Sequence, residues 1–161
     1  LHHLLPASTA LHQPVPARFR IQNDVLANKR QYYLGKRTDS GWFQWIESSY
    51  DNGWITARLK EFGTYQILAD TIPPRIDVPR LENVRKNGVI RIRIGDNASG
   101  ISTWRCTIDN RWALVTFDAK TGWLSYTPDL SRIGTNKEHV LRLTVVDGCG
   151  NESLMEQTFA Y

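Results

Sequence analysis

Apolar residues recur at every second position in short runs along this chain, and helical spacing is scarce. Before residue 70 the runs are ARFRIQ (17–22), with Phe19 and Ile21 on one face, QYYLGK (31–36), GWFQWI (41–46), GWITARL (53–59) and FGTYQILA (62–69). After it come RIDV (75–78), GVIRIRIG (88–95), ISTWRCTID (101–109), RWALVTFD (111–118), GWLSYTP (122–128), HVLRLTVVD (139–147) and SLMEQTFAY (153–161). Gly, Asn, Asp and Pro separate the runs, as turn residues do between strands. The break Asp51-Asn52-Gly53 is a hairpin signal, because Asn-Gly readily takes positive φ. The longer connection PDLSRIGTNKEH (128–139) has room for one helical turn.

The pattern predicts an all-β chain of two tandem β-sandwich domains. The division falls at Asp70-Thr71-Ile72-Pro73-Pro74, where one alternation stops and another starts at Ile76. Two prolines fix φ and hold the preceding residue extended, so residues 71–74 read as a semi-rigid linker built to hold an angle. The first domain is then residues 1–70 and the second residues 75–161. Residues 1–15 alternate poorly and the stretch to Pro16 carries three prolines, so it is predicted to be extended or loosely attached. The second domain, with about seven strands in roughly 90 residues, matches an immunoglobulin-like sandwich.

Charge changes this picture little. The net charge is +4, but the basic residues are scattered. Arg91 and Arg93 alternate with Ile90, Ile92 and Ile94, which is the solvated face of a strand. A nucleic-acid partner calls for a denser basic stripe or a known motif. There is no run of about 18 apolar residues, so no membrane-inserted helix is predicted. The chain opens on Leu1 rather than Met, as a processed chain or an excised piece would. Cys106 and Cys149 show neither CxxC nor zinc-ligand spacing. Cys106 falls well down a strand and Cys149 within a turn, so no disulfide is expected between them.

Catalytic chemistry finds little footing. No Gly-x-Ser-x-Gly elbow is present. His139, beside Glu138 at a strand start, reads as structural, and His2 and His3 point opposite ways on an extended chain. Asp109, Asp118 and Asp129 each sit by a turn, where Asp bonds nearby backbone N–H groups. Two groups are more informative. In an immunoglobulin-like topology Asp70, Asp96, Asp147 and Asn151 fall on segments that converge at one end of the second sandwich, near the domain junction. They read as Asx turns closed by their own backbone, with an oxygen-rich calcium site as the alternative. The second group is aromatic. Of six Trp, Trp104 shares a face with Cys106 and Ile108 and belongs to the core, and Trp54 can pack. Trp42, Trp45, Trp112 and Trp123 have no obvious core position and are the candidate ligand-binding residues. Trp42 and Trp45 fall on opposite faces of one strand, so one of them is expected to be exposed.

The stretches DTIPP, IGDNASGI, TIDN and VVDGCGNES resemble those of bacterial immunoglobulin-like domains. More narrowly, NGWITARLKEFGTYQILADTIPPRI and IGDNASGISTWRCTIDNRWALVTFDAKTGWLSYTPD resemble the C-terminal region of Bacteroidetes-type secreted lysostaphin-like (LytM-type) zinc metallopeptidases, over most of residues 14–161. The His-x-x-x-Asp and His-x-His motifs of that family's catalytic domain do not occur among His2, His3, His12 and His139. The resemblance therefore implies a non-catalytic chain, secreted or in the periplasm or cell envelope. It would be a structural or positioning module of a peptidoglycan endopeptidase, with the parent's catalytic domain as partner. The alternative is a module that binds peptidoglycan or another polysaccharide through exposed Trp residues. Neither reading calls for a cofactor.

Overall fold

The computed structural model describes residues 1–161 apart from Ser8, Asn83 and Leu130. The chain divides into two compact units. The first comprises Leu1–Ile72 with Ala98–Gly100 and Gly148–Asn151; the second comprises Pro73–Asn97, Ile101–Asp147 and Glu152–Tyr161. Both are built from antiparallel sheets, so the all-β sandwich architecture expected from the alternation is what the chain adopts. Among the described residues no helix is long and apolar enough to cross a membrane.

In the first unit the strands are β1 (His2–Leu4), β2 (Ala10–Arg20), β3 (Tyr32–Arg37), β4 (Phe43–Ile46), β5 (Ser48–Asp51), β6 (Trp54–Glu61) and β7 (Gly63–Ala69). They form a sheet of order β1-β7-β3-β4 and a second of order β2-β6-β5. The alternation decides what faces inward: Ile55, Ala57 and Leu59 of β6 are buried, and they meet Phe19, Leu34 and Tyr65 in one core. Asn52 and Gly53 take φ of 45° and 83° and close the tight β5–β6 hairpin, with Asp51 opposite Trp54.

The opening segment carries β1 and the first part of β2, which its poor alternation did not predict; from Ala17 on, β2 follows the expected run. His2, His3 and Leu4 pair with Tyr65, Thr64 and Gly63 of β7, and the His2 ring lies edge-on to Phe19 at 5.0 Å. Pro14 and Pro16 sit inside β2. They are tolerated because β2 is an edge strand that bonds only β6, where a missing N–H costs no ladder bond on the open side. The pairing slips between Ala10 and Val15, the kind of irregularity that a proline-bearing edge accommodates.

In the second unit the strands are β8 (Arg75–Asp77), β9 (Ile90–Gly95), β10 (Ile101–Ile108), β11 (Arg111–Trp112), β12 (Thr116–Asp118), β13 (Trp123–Tyr126), β14 (Glu138–Asp147) and β15 (Glu152–Ala160), with one short helix, α1 (Val84–Asn87). One sheet has the order β12-β13-β9-β8 and the other β11-β10-β14-β15. Setting aside short β11, strands one, two, four and five share a sheet and three, six and seven share the other. That is the immunoglobulin-like arrangement. The run RWALVTFD, read as one strand, is two: β11 stays with β10 while β12 crosses to β13. Ala113, between them, is buried in the core at the point of crossing. The 128–139 connection makes a single turn, in which the Arg132 and Ile133 N–H groups both reach the Asp129 carbonyl at 2.9 Å, and the longer helical segment of this unit is α1. Trp104 packs against the core and meets the Phe117 ring at 4.6 Å.

Candidate functional site

Three groups of side chains stand out, and each lies within one unit. The first surrounds Asp70, which is 1 % exposed in the first unit. Its Oδ2 accepts the Ser99 N–H at 2.9 Å and its Oδ1 the Ile72 N–H at 3.2 Å. Its carbonyl accepts Nδ2 of Asn151 at 3.0 Å, and Asn151 Oδ1 in turn accepts Nε2 of Gln31 at 2.8 Å. The Asp70 N–H returns to the Gln31 carbonyl at 2.8 Å. Asp70 and Asn151 are thus brought together, with each carboxylate oxygen of Asp70 holding a backbone N–H. The Ile72 bond, two residues on, closes an Asx turn, whereas the Ser99 bond reaches a segment 29 positions away. Asp96 and Asp147 belong to the second unit. Asp96 follows β9, and Asp147, buried, ends β14 opposite Ile101.

The remaining sequence-flagged acids of the second unit act locally. Asp118 accepts the Lys120 N–H at 3.0 Å and the Thr121 hydroxyl at 2.7 Å. Asp129 accepts the Ser131 N–H at 2.9 Å and its hydroxyl at 2.7 Å. These bonds hold both carboxyls below the ordinary carboxylate range.

Asp109 does more than turn the chain. With Asn110 it forms the β10–β11 hairpin at φ of 50° and 62°. Its carboxylate then reaches β14, where Oδ1 accepts the Val140 N–H at 2.9 Å and Oδ2 meets Nδ1 of His139 at 2.6 Å. His139 is 4 % exposed, and its Nε2 meets the Gly134 carbonyl at 2.8 Å. Both ring nitrogens face acceptors, and only an imidazolium can donate to both. Burial pushes its pKa down, but the bonds to Asp109 and Gly134 outweigh that, so the net shift is upward. The His139 bond, then the Val140 N–H, holds Asp109 below its usual value. A ring committed at both nitrogens has no lone pair for general-base chemistry.

This clamp forms one wall of a groove of about 750 Å³. The groove opens between β11 on one sheet and β13 with the connection after it on the other. Arg111 and Trp112 come from β11, Tyr126 from β13, and Arg132 and Lys137 from the connection. Sequence reading had singled out Trp112 here but missed Arg111, Arg132 and Lys137. They are scattered along the chain, and only the crossing of β11 to β12 and the anchored connection bring them to one place. The first unit has a groove of about 870 Å³ lined by Arg18, Trp45, Arg58 and Tyr65, with Lys36 and Glu61 paired at 2.6 Å on its wall.

The four flagged Trp residues take different environments. Trp42, at the β3–β4 turn, is 78 % exposed, and Trp112 is 57 % exposed. Trp123 is partly exposed on β13, opposite Arg93 and Asp118, and does not line the Trp112 groove. Trp45 is half-buried, opposite Gly35, and lies over Gly148: a Cβ there would stand 3.1 Å from its indole. Cys106 and Cys149 are both buried thiols, and burial pushes Cys106 up to about 11.

No curated protein matches the chain. Residues 1–70, which make up most of the first unit and leave the immunoglobulin-like unit outside the match, are similar to the Zu5-like domain family.

Proposed function

We propose that this chain is a non-catalytic module of a secreted cell-wall endopeptidase, and that it places the enzyme by binding the wall polymer. The observation that carries this reading is the exposure of large aromatics: Trp42 at 78 % and Trp112 at 57 %. A large apolar side chain left in water forgoes roughly 1.5–3 kcal/mol of burial free energy. An exposed indole offers a flat apolar face on which the C–H face of a sugar ring can stack. The commitment of both His139 nitrogens supports a binding rather than a catalytic role. The parent peptidase and the cell-envelope location rest on the sequence resemblance.

The test is co-sedimentation of the chain with purified, insoluble peptidoglycan sacculi at low and moderate salt. Pelleting at low salt that weakens but persists at moderate salt, and that falls in the Trp42→Ala or Trp112→Ala variant, is the expected result; pelleting abolished at moderate salt favours the positioning role. A chain that stays in the supernatant at both salt concentrations overturns wall binding. It would leave the purely positioning role, in which the partner is the parent's catalytic domain.

A further inference from the structure

We infer that the groove between β11 and β13 in the second unit is a binding site for an acidic sugar, a pyranose ring carrying a carboxylate. The inference rests on the glycan-binding reading but locates it and gives the ligand its charge.

The shape and the aromatic come first. The groove's volume of about 750 Å³ lies within the range of small-ligand clefts. Trp112 stands at its wall, 57 % exposed, on a strand whose neighbour β10 is anchored in the core. A rigid, half-exposed indole offers an apolar face to the C–H face of a sugar ring, and little side-chain entropy is lost on binding.

The charge follows from counting which groups are already committed. The walls carry the cations Arg111, Arg132, Lys137 and His139, and the carboxylates Asp109 and Asp129. Asp109 is held by His139 and the Val140 N–H. Asp129 is held by Ser131, with Arg132 at 3.7 Å. Among the described residues neither Arg111 nor Lys137 forms a close ion pair, although Arg111 lies near enough to Asp109 to help lower its pKa. The groove therefore keeps a positive excess, and the two cations that supply it come from separate segments, β11 and the residue just before β14. A carboxylate between them satisfies both, and the Arg111 guanidinium can grip it with two parallel N–H bonds. A neutral sugar would leave that charge unused. Thr116, Ser125 and Thr127 supply hydroxyl groups on the same walls for ring hydroxyls.

The test is a titration of the intact chain with tetragalacturonate and, separately, with neutral cellotetraose, followed by tryptophan fluorescence and calorimetry. The variants are Trp112→Ala, Arg111→Gln, Lys137→Gln and, as a control outside the groove, Trp123→Ala. Tetragalacturonate is expected to bind more tightly than cellotetraose, with a salt dependence that shrinks in Arg111→Gln and Lys137→Gln. Trp112→Ala should weaken binding by about tenfold or more, and Trp123→Ala should leave it unchanged. Because Trp112 is exposed, its variant should keep the wild-type melting temperature; if it does not, the two cation variants decide. No binding of tetragalacturonate, equal binding of the neutral oligomer, or variants that bind like wild type each overturn the site. The wall-binding reading fails separately. Sacculi that pellet wild type and Trp112→Ala alike preserve it and sink the groove, whereas tetragalacturonate binding without pelleting preserves the groove and sinks wall binding.

Discussion

Asp109 and His139 stand thirty positions apart in the sequence and meet at 2.6 Å, joining the β10–β11 hairpin to the start of β14. The pair closes the end of the immunoglobulin-like sheet and braces one wall of the groove. It predicts a specific dependence on pH. His139 is raised in the folded state, so its contribution is complete below its unfolded value of 6.5 and is lost as pH rises through the folded value. Asp109 is lowered, so its contribution is complete above 3.8 and is lost as pH falls through the folded value. Between those limits the pair is fully effective. The side chain of Asp109 is nearly half exposed, so water screens the interaction. Asp109→Asn should therefore cost about 1 kcal/mol rather than the several expected of a fully buried pair. Urea midpoints measured from pH 5 to 9 should fall on the alkaline side in wild type and flatten in Asp109→Asn. An unchanged profile in the variant would remove the clamp from the stability account.

Gly122 is predicted to be intolerant of any side chain. Its φ is 75°, and a Cβ would stand 2.5 Å from the Ile94 carbonyl oxygen. Its own carbonyl accepts the Ile94 N–H at 2.8 Å, so the two backbones cannot separate without losing a bond. Gly122→Ala should destabilise by about 2–4 kcal/mol, from the unfavourable φ and the collision together. Thermal melts of the variant check this. Gly53→Ala, with φ of 83° and open space around it, isolates the backbone component and should lose less.

Asp70 is predicted to hold the first unit together by hydrogen bonds. Asp70→Ala leaves the Ser99 N–H buried without an acceptor and should cost about 2–4 kcal/mol. Asp70→Asn keeps one side-chain oxygen and should recover part of that loss. The Asx-turn reading also predicts that millimolar calcium leaves the wild-type melting temperature unchanged. A clear rise that disappears in Asp70→Asn would favour the cation reading instead.

The two thiols should be silent in the folded chain. Cys106 is 1 % exposed and Cys149 is 3 % exposed, and burial raises Cys106 to about 11, so little thiolate is present at pH 8. A thiol reagent should react with neither under native conditions and with both in denaturant. An absence of free thiol in denaturant would mean an oxidised pair and contradict this.

Much of this architecture was legible in the alternation alone. Burial on one face of a strand imposes period two, so Phe19, Ile55, Ile92 and Leu143 could be placed inward before any pairing was known. The Asn52-Gly53 hairpin was legible because its φ values are a local property of those residues. Strand β1 and the part of β2 before Ala17 were not. Both are edge segments whose order comes from pairing with β7 and β6, and local pattern carries little of that information.

The candidate site divides along the same line. The sequence by itself determined the sandwich class, the turn roles of Asp118 and Asp129, and the presence of more Trp than two small cores readily absorb. Each of these depends on neighbours within a few positions. Only the tertiary structure decided that Asp109 clamps His139, that Trp45 lies over Gly148 while Trp112 stands exposed, and that Arg111 and Lys137 face one groove. Those relations join residues far apart in the chain. Strand register and the crossing from β11 to β12 set them, and both are properties of the packed sheets as a whole.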